Sequence, residues 1–282
     1  MRESGTLALS QVQTVVDGLD HPECVAVDAD GTIWAGGEAG QMYRIEAPSG
    51  AVHEVGTTGG FLLGVTPDGG RYLYVCDIKQ QALLRLVIET GAIETVVTNV
   101  AGRPLTNPNF AVFDREGRLY VTDSGHFHAD DGFIFAVEPD GTTRIVDERA
   151  RHFPNGLALD VERGDLYIAE STLPGVTRLS LESGGYETVA ELPGTVPDGL
   201  ALDEERTIYC GCYRPDTVLR ISGGTVDVLL ADPEGTVIAA PTNLAFGGSD
   251  RRNLYIASLG RWHVGMVRMD VPGLPPCYPA LP

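Results

Sequence analysis

A short phrase recurs six times along the chain, usually opening on proline, and its regular return restricts the fold more than any other feature. The copies are Pro22-Glu23-Cys-Val-Ala-Val-Asp28, Gly60-Phe61-Leu-Leu-Gly-Val-Thr66 and Pro108-Asn109-Phe-Ala-Val-Phe-Asp114. They continue as Pro154-Asn155-Gly-Leu-Ala-Leu-Asp160, Pro197-Asp198-Gly-Leu-Ala-Leu-Asp203 and Pro241-Thr242-Asn-Leu-Ala-Phe-Gly247. Their last positions lie 38, 48, 46, 43 and 44 residues apart. A period near 45 with several short strands per unit marks a propeller rather than a helical solenoid. Six such units take up the whole length, so residues 1–282 are expected to form a single six-bladed β-propeller domain, all-β, with four-stranded blades.

The fourth unit shows the expected blade. Asn155–Asp160 is a short aliphatic run suited to a buried inner strand, Asp165–Ala169 the second strand, Val176–Ser180 the third and Gly185–Ala190 the outer one. Gly, Pro, Asp and Asn punctuate the boundaries. The sixth unit lacks a fourth strand, while Ala8–Val16 is an orphan with strand alternation. Pairing the two closes the ring and removes its free edges. The apolar tail from Val271 onward covers either a surface of this chain or a neighbour.

Twenty Lys and Arg against 39 Asp and Glu leave a net charge of −19, with no basic cluster for nucleic acid or anionic lipid. No apolar stretch approaches a membrane span, and the first residues lack an apolar leader core. A cytoplasmic location is expected, with no nucleic-acid or membrane partner; the oligomeric state is open. Five cysteines, an odd number, fit a reducing compartment, and buried small hydrophobes are the simplest reading of them.

Five residues before the end of each phrase stand Glu23, Phe61, Asn109, Asn155, Asp198 and Thr242. Two carboxylates and two amides at equivalent places in a ring suit one hard cation bound by oxygen: Ca²⁺ first, then Mg²⁺ or Mn²⁺. Zn²⁺ is a weaker candidate, because no His or Cys holds such a position. Pro-Asn-Gly and Pro-Asp-Gly are also ordinary turn formers, but turn chemistry does not explain Glu23. Loops joining second and third strands open on the same face and supply candidate wall residues: Asp77, Lys79, Asp123, His126, His128, Glu170, Tyr213, Arg214, Arg261 and His263. The longest, Asp123–Gly132, is a candidate lid.

The pattern Glu23, Asn109, Asn155-Gly156, Asp198-Gly199, with the late Asn243-Leu-Ala-Phe-Gly-Gly248 and Leu254-Tyr-Ile-Ala-Ser258, resembles the gluconolactonase family, also called the regucalcin or senescence marker protein family. The resemblance runs over essentially the whole chain. It implies a six-bladed propeller that binds one divalent cation through Glu23, Asn155 and Asp198 and hydrolyses a lactone, a small-molecule substrate. It also implies that Asn109 contacts the substrate or completes the metal shell. Asn107 and Phe110 depart from the family pattern around Asn109. On this reading Asp198 and Asn109 are the catalytic residues, and Asn107, Asn109, Asp123, His126, Arg261 and His263 bind substrate. Two alternatives stay open: phosphotriester hydrolysis at a diisopropylfluorophosphatase-like site, and a propeller that only binds ligands.

Overall fold

The computed structural model describes residues 5–47 and 49–279. It contains six four-stranded antiparallel sheets arranged as the blades of a propeller. The inner strands are Cys24–Val27, Leu62–Pro67, Pro108–Phe113, Pro154–Asp160, Val196–Leu202 and Pro241–Gly247. Each is followed in sequence by the second, third and outer strands of its blade, except in blade six. There the outer strand is Gln13–Asp17, which pairs antiparallel with His263–Arg268. The N-terminal closure is therefore present but shorter than the alternation suggests. Leu9–Gln11 forms a 3₁₀ turn instead of strand. The amide of Leu7 donates to the carbonyl of Leu229, and Leu7 and Leu9 pack against the core between blades five and six, which draws this segment off the ladder.

The apolar clusters explain why the ring holds as a unit. There are six among the described residues, and each joins two neighbouring blades. One, for example, unites Trp34 and Met42 of blade one with Leu62 and Val75 of blade two. Another unites Phe110 and Tyr120 of blade three with Leu157 and Ile168 of blade four. A blade alone would leave both faces of its sheet bare, so burial stabilises the ring only when the neighbours are present. The long interval between the second and third phrases is filled by an extra hairpin, Asn99–Val100 with Arg103–Pro104.

At the axis the inner strands approach closely enough to dictate glycine. A Cβ on Gly156 would stand 2.6 Å from the carbonyl oxygen of Asp198, and one on Gly199 would stand 2.6 Å from Cα of Asn243. Both lie inside inner strands, so Pro-Asn-Gly and Pro-Asp-Gly are not turns here. The tail crosses the end of the channel where the inner strands finish. The amide of Leu274 donates to the carbonyl of Leu202, and the Tyr278 hydroxyl donates to that of Val27 at 2.9 Å. Beneath Leu274–Tyr278 lies a cavity of ≈180 Å³ walled by Val65, Ala111, Leu157, Leu200 and Leu244. The tail thus covers a surface of its own chain; its last three residues lie outside the described ones.

Candidate metal centre at the mouth of the channel

The other end of the channel holds the six phrase residues, and a shared irregularity presents them there. The inner strand slips register between Leu62 and Gly64, Pro108 and Ala111, Pro154 and Leu157, Pro197 and Leu200, and Pro241 and Leu244. In blade one the ladder begins at Cys24, one residue past Glu23. A bulge frees a side chain from strict up-and-down alternation and re-aims it. Four bulges at one ring position thus release Asn109, Asn155, Asp198 and Thr242 from the pleat; in blade two the slip falls later, at Leu63, and Phe61, like Glu23, stands just before its strand.

Two carboxylates meet at this mouth without a cationic partner among the described residues. Burial pushes Asp198 well above the usual carboxylate range, and the charge of Glu23 raises it further; a hydrogen bond from Asn155 works against both. Glu23 is pushed up to about 8, chiefly by burial and then by Glu38. Its Oε2 is buried with no hydrogen-bond partner, as is Oδ1 of Asn243 beside Thr242. Asn109, Asn155 and Asp198 are all buried. Desolvated, mutually repelling carboxylates with amides beside them are what a divalent cation relieves, and the all-oxygen donor set fits a hard ion. No group of three or more His, Cys, Asp or Glu able to hold a metal forms among the described residues. Of the charged donors here, only Glu23 and Asp198 are carboxylates at phrase positions.

Hydroxyls missed in the sequence hold the backbone of this ring. Ser124 Oγ donates to the carbonyl of Pro154 at 2.7 Å, Thr122 to that of Asn155 at 2.8 Å, and Ser171 to that of Pro197 at 2.6 Å. Thr242 Oγ1 donates to the carbonyl of Glu23 at 2.7 Å, closing blade six onto blade one. Inner strands of neighbouring blades share no ladder, so these bonds fix one ring residue against the next. The signal was the repeated acid-Ser pair, Asp123-Ser124 and Glu170-Ser171, at the end of the second strand.

Several wall candidates have structural occupations. Asp123 is fully buried, and its oxygens accept the amides of Thr106, Asn107 and Gly125. Asp77 takes the amides of Phe61 and Gln80, and Glu170 those of His152 and the hydroxyl of Thr177. These acids pin the segments that lead into the inner strands. His126 is exposed and paired with Asp131 at 2.8 Å, and Arg261 is exposed. Asn107 and His263 are different: Oδ1 of the first and Nε2 of the second are buried without a partner. Burial, then the charge of Arg261, lowers the pKa of His263, which favours the neutral ring. The loop after Asp123 leans sideways onto blade four, where the amide of Gly132 donates to the carbonyl of Arg151 and His152 pairs with Asp130 at 2.8 Å.

Comparison with known proteins agrees with this architecture. A gluconolactonase from Xanthomonas campestris shares the fold with a TM-score of 0.78 at 20% identity, over 93% of this chain and 89% of that one. In sequence, the gluconolactonase of Zymomonas mobilis is 28% identical over 186 residues, which is 57% of this chain and 51% of that protein. Regucalcin of Danio rerio is 26% identical over 74% of this chain and 67% of that one. The chain spans about half the length of several of the curated relatives it matches. Residues 7–45 also match an N-terminal strictosidine synthase-like region. Residues 37–260 match the family described as SMP-30/Gluconolactonase/LRE-like region, and the chain belongs to that family.

Proposed function

We propose that this protein is a divalent-metal-dependent hydrolase that opens a small lactone at the mouth of the channel. The observation that carries this reading is the buried, unpartnered Oε2 of Glu23, set so that its charge acts on an equally buried Asp198. Such a pair is costly in a metal-free fold and becomes useful as a ligand set. Lactonase relatives favour the lactone as the bond attacked.

Glu23, Asn155 and Asp198 would hold the cation. When bound, it supplies polarisation of the lactone carbonyl and an acidified water. Asp198 has a second oxygen with which to accept a proton as general base. Asn109, buried beside this ring, orients the carbonyl and shares developing negative charge through its amide. Of the candidate substrate residues, Asn107 and His263 each keep a buried polar atom without a partner.

The test is metal content and chelator sensitivity of the purified protein, measured with a lactone panel and a phosphotriester. One tightly held ion, with lactone turnover lost on chelation and restored by Ca²⁺ or Mn²⁺, supports the proposal. A preference for the phosphotriester would move the chemistry to the other bond, and no bound ion would remove the mechanism. Replacing Asp198 by Asn should lower kcat/KM by roughly 10²–10⁴-fold and weaken metal binding; a fully active variant excludes it as base and ligand.

A further inference from the structure

Two aromatic shelves flank the mouth, and they are built the same way on opposite sides of the ring. Trp262, on the loop between the second and third strands of blade six, packs against His21 with the rings tilted and their centroids 4.5 Å apart. Phe127, on the corresponding loop of blade three, packs edge-on against Phe153 at 5.0 Å. His21 stands two residues before Glu23, and Phe153 two residues before Asn155. Each shelf is thus attached to the backbone of a proposed metal ligand, in blades one and four, which face each other across the axis.

The backbone at these places is held in a form side chains disfavour. His21 has φ 41°, Phe153 φ 55° and Trp262 φ 60°. Left-handed conformations outside glycine cost about 1–2 kcal/mol per residue and persist at sites where the surroundings impose them. Gly59, at the equivalent position before Phe61, shows the unstrained solution, with φ 67°. Trp262 is also tied at both ends: its amide donates to Ser258 and its carbonyl accepts from Leu19. Yet Trp262 stays 49% exposed and Phe127 53%, and Leu173 on the matching loop of blade four is 39% exposed. The other large exposed hydrophobics, Val52, Ile93, Val226 and Val228, lie on outer strands, away from the mouth.

The acids and hydroxyls of the same wall nearest the ring are already spent. Asp77, Asp123 and Glu170 hold backbone amides, and the hydroxyls of Ser124 and Ser171 are donated to carbonyls. Phe61 fills blade two's place in the ring. A substrate with many hydroxyls would find these acids and hydroxyls already engaged, whereas an apolar substituent would find two aromatic faces. Resting on the lactonase reading, we infer that the substrate is a lactone bearing an apolar chain or aryl group, received by Trp262 and Phe127, rather than a polyhydroxylated sugar lactone.

The experiment compares the metal-loaded protein on glucono-1,5-lactone, unsubstituted γ-butyrolactone and γ-lactones with progressively longer alkyl chains. The expected result is a kcat/KM that climbs with chain length, through KM, and exceeds that for gluconolactone. Trp262→Gly keeps the left-handed backbone without strain, so it removes the ring alone. It should lower the ratio of long-chain to unsubstituted kcat/KM by about tenfold, as expected for losing one aromatic contact face. Preference for gluconolactone, or an unchanged ratio in the variant, overturns the inference while leaving the lactonase reading intact. If no lactone is turned over, that reading fails by itself. The shelves are then judged by titrating an alkyl-substituted γ-lactam against the emission of Trp262, with the Gly variant as reference. A change in emission that saturates supports the apolar site, and none rejects it.

Discussion

Glu23 and Asp198 behave as acids that the fold would rather keep protonated when no cation is present. Both are raised above the ordinary carboxyl range, so the stability they lend is present at low pH and is lost as pH rises through their folded values, about 8 for Glu23. In chelator, the melting temperature should therefore fall between about pH 5 and pH 8. On the proposed reading, saturating Ca²⁺ should flatten or reverse that trend by binding the ionised pair. Glu23→Gln should remove much of the slope and the response to Ca²⁺; a metal-free protein equally stable across the range would refute the pairing. Residue identity at this position was legible in the sequence because the ring repeats it. The occupation of Asp123 was not. A carboxylate waiting for substrate and one accepting three backbone amides look alike until the loop around it is placed.

At the scale of the strand, the bulge decides what the phrase means. Proline, the ring residue and glycine read as a turn, yet the chain runs through them extended, because glycine answers to the neighbouring strand rather than to its own φ. Gly156→Ala would press a methyl onto the carbonyl of Asp198. It should cost about 1–3 kcal/mol in denaturant unfolding and disturb metal affinity as well. A variant as stable as the parent would show that the strands can part at no cost. The blade boundaries were legible because turn residues fall every few positions. The bulges were not, since they arise from the crowding of six strands around one axis. The strand alternation of Ala8–Val16 was likewise only half right: local pattern favoured strand throughout, and the packing of Leu7 and Leu9 between blades five and six overrode it.

For the whole molecule, closure is made twice. Gln13–Asp17 completes blade six, and removing residues up to Asp17 should bare both that edge and the cluster shared with blade one, which includes Val16 and Leu19. We expect that deletion to abolish cooperative melting. An unchanged transition would mean the ring closes without its clasp. Ending the chain at Pro272 removes the strap from Leu274 to Tyr278 and opens the apolar cavity. The melting temperature should drop by about 2–4 °C for each kcal/mol lost, and binding of an apolar dye should rise. If neither changes, the strap is only laid over the surface. The period in the sequence was enough for the ring, whereas the strap was unreadable, because a proline-rich apolar stretch fits equally well against its own chain or another.

That strap gives the channel a front and a back. The back is crossed by the chain's own tail, so on the proposed reading a small molecule held at Glu23 and Asp198 would come and go past Trp262 and Phe127. Arrival and departure would then share a threshold and take turns on it. A product that lingers there would keep the next molecule waiting, and the loops that admit a substrate would also set how soon the site is ready for another.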